Sequence, residues 1–342
     1  MSVRPDTPSL RFDRRRFLAG VSAAGAASLL ATPQISLAEP PPETKRIRLV
    51  HNPAICLAPQ YIAEEMLRAE GFNEVTYVDV GGGEQIQKVY AGEADLTMEA
   101  APVVVHASDR QPVIVTLAGI HAGCVELIGS DRVQTIRDLK GKNVAVYALN
   151  GADHILLASM LAYVGMDPAK DVNWIPQPGE HGAVQAFMDG KADAFIGVPP
   201  QTDELREKKI GHTLIDTAQD RPWSQYFCCM LVGNRNFVAS NPVATKRAMR
   251  ALLKAADMCA QQPERVARYL VDKGFAQRYD IGVAVLKRLP YNRWREANPE
   301  NTVRFNALRL HEVGMIKSDP NMLISQSTDW RFLNQLRTEL KV

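Results

Sequence analysis

The sequence predicts an α/β fold built as two lobes, each a mainly parallel sheet flanked by helices. Three observations carry this. Short apolar runs alternate with helical stretches over residues 47–117, giving three strand–helix units in succession, the pattern of a parallel sheet covered on both faces. The alternation resumes after a polar turn at 137–142 and continues to residue 216. From Asn241-Pro242 onward the pattern is helical, with Asn241 placed to cap and Pro242 at the first helical position.

The first 38 residues read as an address. Asp13-Arg14-Arg15-Arg16-Phe17-Leu18 matches a twin-arginine export pattern, with Asp13 where Ser or Thr is usual. An apolar stretch follows over 18–31, and Ser36-Leu37-Ala38 forms a small-x-small cleavage site before Glu39. The stretch is short, rich in Gly and Ala and followed by Pro33, whereas a spanning helix needs about 20 apolar residues. A signal peptide over 1–38, cleaved after Ala38, and a soluble periplasmic product are expected. The formal charge of +2 belongs to this leader, which carries five arginines against Asp6 and Asp13; nothing in the remainder suggests a nucleic-acid partner. At 46 % hydrophobic residues the chain can fill a sizeable core.

The elements follow in order. Pro40-Pro41-Pro42 marks a linker over 39–43, and residues 47–50 form the first strand. A loop over 51–57 leads to a helix opened by Ala58-Pro59 and stopped by Gly71. Strands at 75–80, 94–98 and 113–117 alternate with helices opened after Gly83 and at Ala101-Pro102. A strand at 125–128 precedes the boundary. Beyond it, 144–147 is a strand, Asn150-Gly151 a turn, and 155–164 an apolar helical stripe stopped by Gly165. Strands at 172–175, 194–198 and 212–216 continue the second lobe, and 229–232 is a strand able to return to the first. Gln262-Pro263, Asn298-Pro299 and Ser327-Thr328 open later helices. Lobe 1 is therefore expected over 44–136 and 228–342, and lobe 2 over 137–227.

No assembled catalytic constellation is present. Gly81-Gly82-Gly83-Glu84-Gln85-Ile86 is no dinucleotide fingerprint, and there is no phosphate loop, nucleophile elbow or His-Glu-x-x-His. The seven His are scattered and not spaced for a metal; the five cysteines, Cys56, Cys124, Cys228, Cys229 and Cys259, fit no metal or disulfide framework and read as buried free thiols, with a Cys56–Cys124 bridge left open. Export by a folded-protein route tolerates free thiols. No cofactor is expected. What remains is a set of loops following strands, which gather on one edge of two facing sheets and define a crevice for a small ligand. Asn52, Glu99, His121 and Asn150 place polar side chains there. The helix start Gly151-Ala152-Asp153-His154 offers free N–H groups, although capping alone explains Asp153.

Several stretches resemble the nitrate/sulfonate/taurine-binding family of periplasmic receptors for ABC importers, which includes relatives that bind thiamine-precursor pyrimidines. They are Ala58-Pro59-Gln60-Tyr61-Ile62-Ala63; the run from Gly83-Glu84-Gln85-Ile86 to Gly92-Glu93-Ala94-Asp95; Asp138-Leu139-Lys140-Gly141-Lys142-Asn143-Val144-Ala145-Val146; and Gly190-Lys191-Ala192-Asp193-Ala194. The resemblance implies a type II periplasmic-binding-protein fold, with crossover strands near 127 and 230, that closes on a small molecule and docks as a monomer on an ABC permease and its ATPase. The candidate ligand-binding set is Asn52, Gln60, Gly83, Glu99, His121, Asn150, Gly151, Ala152, Asp153, His154 and Glu180. Anion-binding members usually place small hydroxyl residues after the Gly at the helix start. Here Asp153 stands there, with Glu99 and Glu180 expected near the crevice, which favours a neutral or weakly basic heterocycle over nitrate or a sulfonate. Two alternatives share the fold: a pyrimidine-precursor synthase-like enzyme, whose cysteine-rich loop Cys228-Cys229 faintly resembles, and a sensory receptor.

Overall fold

The first sheet has the order β2-β1-β3-β10-β4, built from β1 (Arg46–His51), β2 (Glu74–Asp79), β3 (Leu96–Ala100), β4 (Ile114–Ala122) and β10 (Phe227–Asn234). The second has the order β7-β6-β8-β5-β9, from β5 (Glu126–Gly129), β6 (Asn143–Val146), β7 (Asn173–Pro176), β8 (Ala194–Gly197) and β9 (His212–Asp216). The computed structural model describes residues 39–341 apart from 53, 81–84 and 180. The expected signal peptide, Gly83 and Glu180 lie outside the described residues. The two-lobed α/β expectation is met: two five-stranded sheets, each flanked by helices.

Each sheet contains one antiparallel strand, in the fourth position: β10 between β3 and β4, and β5 between β8 and β9. Both are the first strand after a crossover. A chain leaving β4 at its carboxyl end enters the second sheet from the hinge side, so β5 must run opposite to its neighbours; β10 does the same on return. β4 is buried along its whole length, as expected of a strand covered on both faces.

β5 hydrogen-bonds in the second sheet. The sequence reading placed 44–136 with the first lobe, whereas the crossover itself is Gly123-Cys124-Val125, between β4 and β5. Local strand propensity does not report which sheet a strand joins. The two crossovers touch. Thr217 Oγ1 donates to the Val125 carbonyl at 2.7 Å and accepts the Val125 N–H at 3.1 Å. Gly123, at φ +66°, lies so close to Ala218 that a Cβ would sit 2.3 Å from the Ala218 Cα. One apolar core cluster runs from Ile47 and Leu49 through Cys124, Val125 and Leu127 to Leu157 and Ile215, so the core is continuous through the hinge.

Helices α1 (Ala58–Ile62) and α2 (Glu64–Ala69) follow a single 3-10 turn, Ile55–Leu57; α3 (Gln85–Tyr90) and α4 (Ala101–Arg110) complete the first run. The second lobe carries α5 (Ala152–Tyr163), α6 (Gly182–Met188) and α7 (Gln201–Glu207). After β10 come α8 (Arg235–Ser240), α9 (Pro242–Gln261), α10 (Pro263–Asp272), α11 (Tyr279–Arg288), α12 (Pro299–Glu312), α13 (Pro320–Ser327) and α14 (Arg331–Glu339). Asn241 does hold the cap position of α9, but its side chain donates back to the Phe237 carbonyl at 3.0 Å. The capping carboxylate is that of Glu43, which accepts from Val243 N–H at 2.9 Å and Ala244 N–H at 2.8 Å. Ser327 ends a helix rather than opening one. α13 starts at Asp319-Pro320, where Asp319 accepts from the Asn321 and Met322 N–H groups. No helix of the described residues is long and apolar enough to cross a membrane.

Candidate functional site

The lobes meet along α5. Ile155 packs into an apolar cluster with Ala101, Val103 and Val104 of α4 and with Val303, Ala307 and Leu310 of α12. One turn on, Ser159 Oγ donates to Asn306 Oδ1 at 2.9 Å, from the second lobe to the first. Beside this contact lies a small cavity of about 50 Å³, partly open to solvent. The second lobe contributes Leu156, Ser159, Met160, Thr217 and Trp223; the first contributes Pro102, Phe227, Phe305 and Asn306. The crossovers close the back with Gly123, Val125, Tyr226 and Cys228. Among the described residues, no Lys, Arg, Asp, Glu or His lines it. Tyr226 and Phe305 stack with centroids 4.2 Å apart, and Tyr163 stands against both Phe305 and Trp223. The wall is therefore mainly apolar and aromatic.

None of the described sequence-predicted site residues lines this cavity; they fall in three other places. Asn52 and Gln60 sit at the carboxyl end of β1. The Tyr61 hydroxyl accepts from the Asn52 N–H and donates to the Asn52 carbonyl, and burial pushes the Tyr61 phenol up to about 12. Gln60 is buried and donates to the Val50 carbonyl at 2.7 Å. Gln85 bridges Asn52 to the Met98 carbonyl, and Glu99, buried in β3, accepts the Ala100 N–H at 2.7 Å.

The second group is the turn before α5. Gly151 occupies the cap position, and Asn150, at φ +61°, donates its N–H to His154 Nδ1 at 3.2 Å. The Asp153 carboxylate accepts from the Tyr147 and His154 N–H groups, and Ala152 packs with the inter-lobe cluster. Burial raises the Asp153 carboxyl above its usual range. It lowers His154, with the charge of His106 adding to the effect. The protein's own carboxylate therefore occupies the donors that an anionic ligand would use at this helix start.

His121 belongs to the third place. It is fully buried at the end of β4, and its Nδ1 lies 2.9 Å from the Gly123 carbonyl. Beside it stand Cys56 from the 3-10 turn, Cys124 from the crossover and Cys229 from β10; the ligand-capable atoms of the four all lie within 4.8 Å of one another. Cys228 Sγ lies 3.1 Å from Cys124 Sγ, and all five cysteines are free thiols. The Cys124 and Cys229 thiols, with His121 adding, hold Cys56 well below the usual thiol range against its burial. Sequence spacing showed no metal framework among these cysteines, and the fold brings three of them together with His121. Residues 56, 121, 124 and 229 are too far apart in sequence for a spacing rule, and the fold joins them. The local signal that could have flagged them is His121-x-x-Cys124, a two-residue spacer of the kind paired ligands use.

The fold is the two-lobed periplasmic-binding-protein architecture. Residues 58–266 match the NMT1/THI5-like family model, and the chain belongs to that family. No curated protein sequence matches it. Among solved structures, the periplasmic nitrate-binding protein NrtA of Synechocystis PCC 6803 is similar at 16% identity, covering 89% of this chain and 91% of its own, with a TM-score of 0.74. The alkanesulfonate-binding protein SsuA of Xanthomonas axonopodis pv. citri, bound to MOPS, is 17% identical over 86% of this chain and 99% of its own, with a TM-score of 0.64. The desulfurization enzyme DszB is similar as well, at 13% identity over 86% and 100% and a TM-score of 0.59. At these identities the likeness is one of fold.

Proposed function

We propose that the protein is the solute-capturing component of an ABC importer, exported to the periplasm by its leader, and that it binds a small, flat, neutral or weakly basic heterocycle between its lobes. The supporting observation is the inter-lobe cavity, walled by Trp223, Tyr226, Phe227 and Phe305, with Ser159 and Asn306 bonded to each other across it and no charged side chain among the described residues. A nitrate or sulfonate in such a site would be desolvated without a cation to meet it. Ligand contacts to both lobes favour the closed arrangement, which is the form a permease and its ATPase would read. Asn52, Glu99 and Asn150, which do not line the cavity, are retained as second-rank contacts. The protein is read as a monomer and as a receptor rather than an enzyme; among the described residues the ionisable groups of the cavity wall are Tyr226 and Cys228.

A thermal-shift screen of small nutrients on the mature chain, followed by calorimetric titration, tests this. Pyrimidine-like heterocycles should raise the melting temperature and bind stoichiometrically. Tight binding of nitrate or taurine with no heterocycle response would remove the ligand class. Turnover of a bound heterocycle, or visible absorbance from a Schiff base on the purified protein, would favour the enzyme.

A further inference from the structure

We infer that Cys56, His121, Cys124 and Cys229 form a four-ligand centre for one soft metal ion of the zinc(II) class, at the root of the hinge. The four donors already share a space 4.8 Å across. A tetrahedral centre with 2.3 Å bonds to sulfur sets its donors about 3.8 Å apart, so closure on an ion needs movements of about 1 Å. All four side chains are at least 95 % buried, so the site is a closed one, of the type that holds an ion rather than presenting it to substrate.

The histidine is an independent indication. Its Nε2 is buried and has no hydrogen-bond partner, a state that costs free energy in an interior. Its Nδ1 faces the Gly123 carbonyl at 2.9 Å. That contact fixes the proton on Nδ1 and leaves the Nε2 lone pair free, the arrangement that orients a metal-ligating imidazole. The backbone adds to this. Cys124 is held at φ +142°, a conformation that a side-chain-bearing residue keeps only where its surroundings impose it. Three sulfurs and an imidazole select a soft ion over magnesium, calcium or manganese. On binding, each ligating thiol gives its proton to solvent and the imidazole stays neutral. Cys228 lies on the cavity wall and within 3.1 Å of Cys124, which places the centre directly behind the solute site.

The test uses the mature chain, reduced, stripped with a chelator and titrated with Co²⁺ and then Zn²⁺. One equivalent of Co²⁺ should bind with thiolate charge-transfer absorption, Zn²⁺ should displace it, and the melting temperature should rise with Zn²⁺. Cys229→Ser and His121→Ala should each weaken binding by about 100-fold or more, whereas Cys259→Ser should not. Absence of stoichiometric binding, or wild-type affinity in both variants, would overturn the centre. So would a native protein lighter by two hydrogens through a Cys124–Cys228 disulfide and carrying no metal. If the variants do not fold, alkylation of the wild-type chain decides: Zn²⁺ should protect Cys56, Cys124 and Cys229, and unchanged rates would sink the proposal.

Discussion

Arg288 of α11 reaches from the first lobe to the second and places Nη1 3.0 Å from the carboxylate of Glu126, which is fully buried in β5. Arg206 of α7 pairs with the same carboxylate, and Thr202 and Thr213 donate to it at 2.9 and 3.1 Å. Outside it, Arg278, the cap residue before α11, forks onto Glu207 at 2.7 and 2.9 Å. Charge therefore joins the lobes on the face where α11 meets α7.

Glu126→Gln should destabilise the protein by about 1–3 kcal/mol, since it removes the buried anion that Arg206 and Arg288 share and leaves them Asp203. Burial pushes the Glu126 carboxyl up, but the hydrogen bond from Arg206 and the charges of Arg288 and Arg206 bring it below its usual value. Its contribution is thus complete above the unfolded carboxylate range, about pH 4.3, and is lost as pH falls through the lower folded value. Urea unfolding from pH 7 to pH 3 should show wild-type stability falling more steeply than that of the variant. Parallel curves would remove Glu126 from the acid response.

Trp223→Ala and Phe305→Ala should each weaken binding of a heterocycle found by screening about 30-fold, as expected when an aromatic anchor worth about 2 kcal/mol is truncated. Asn150→Ala and Glu99→Ala should reduce affinity less. Calorimetry ranks the four, and a larger loss from the second pair would move the solute out of the cavity.

Asp153→Ser should create oxyanion binding. The wild-type carboxylate accepts from Tyr147 and His154 N–H groups at the start of α5, and its removal frees donors beside a positive helix end. Sulfate should then raise the melting temperature of the variant and leave that of the wild type unchanged. Equal responses would show that Asp153 does not pre-empt the site.

Much of this was legible in the sequence, and the reason is periodicity. Runs such as Val144-Ala145-Val146 followed by Asn150-Gly151 and an apolar stripe declare strand, turn and helix locally. Both sheets, the returning strand β10 and the cap position at Asn241 follow from such signals. The rest is tertiary. Glu43 caps a helix 200 residues away in sequence, which no local rule anticipates. Loops after strands were the rational place to look for a ligand, yet the wall of the inter-lobe cavity runs along the middle of α5, where Leu156 and Met160 read as core. The Cys/His cluster was hidden because its members come from a turn, a crossover and two strands.

Glu43→Ala should cost about 1 kcal/mol, the usual worth of a capping side chain, because Val243 and Ala244 lose their acceptor. Thermal unfolding at neutral pH reads this directly. Glu43→Gln should recover part of the loss by retaining one acceptor oxygen, which a merely electrostatic effect would not predict.

Gly123→Ala tests whether the crossover contact is indispensable. A Cβ there would meet the Ala218 Cα at 2.3 Å and its Cβ at 2.4 Å, at φ +66°. Backbone cannot rotate away as a flexible side-chain tip would, so strain of about 1–2 kcal/mol from the left-handed conformation adds to an overpacking cost of about 1–3 kcal/mol. Gly141 provides the control: its φ is +73°, yet nothing lies within 4 Å of its would-be Cβ, so Gly141→Ala should lose only the conformational part. A melting-temperature drop at least twice as large for Gly123→Ala is expected. Equal drops would mean that the two crossovers slide apart at little cost and that their contact does not constrain the hinge.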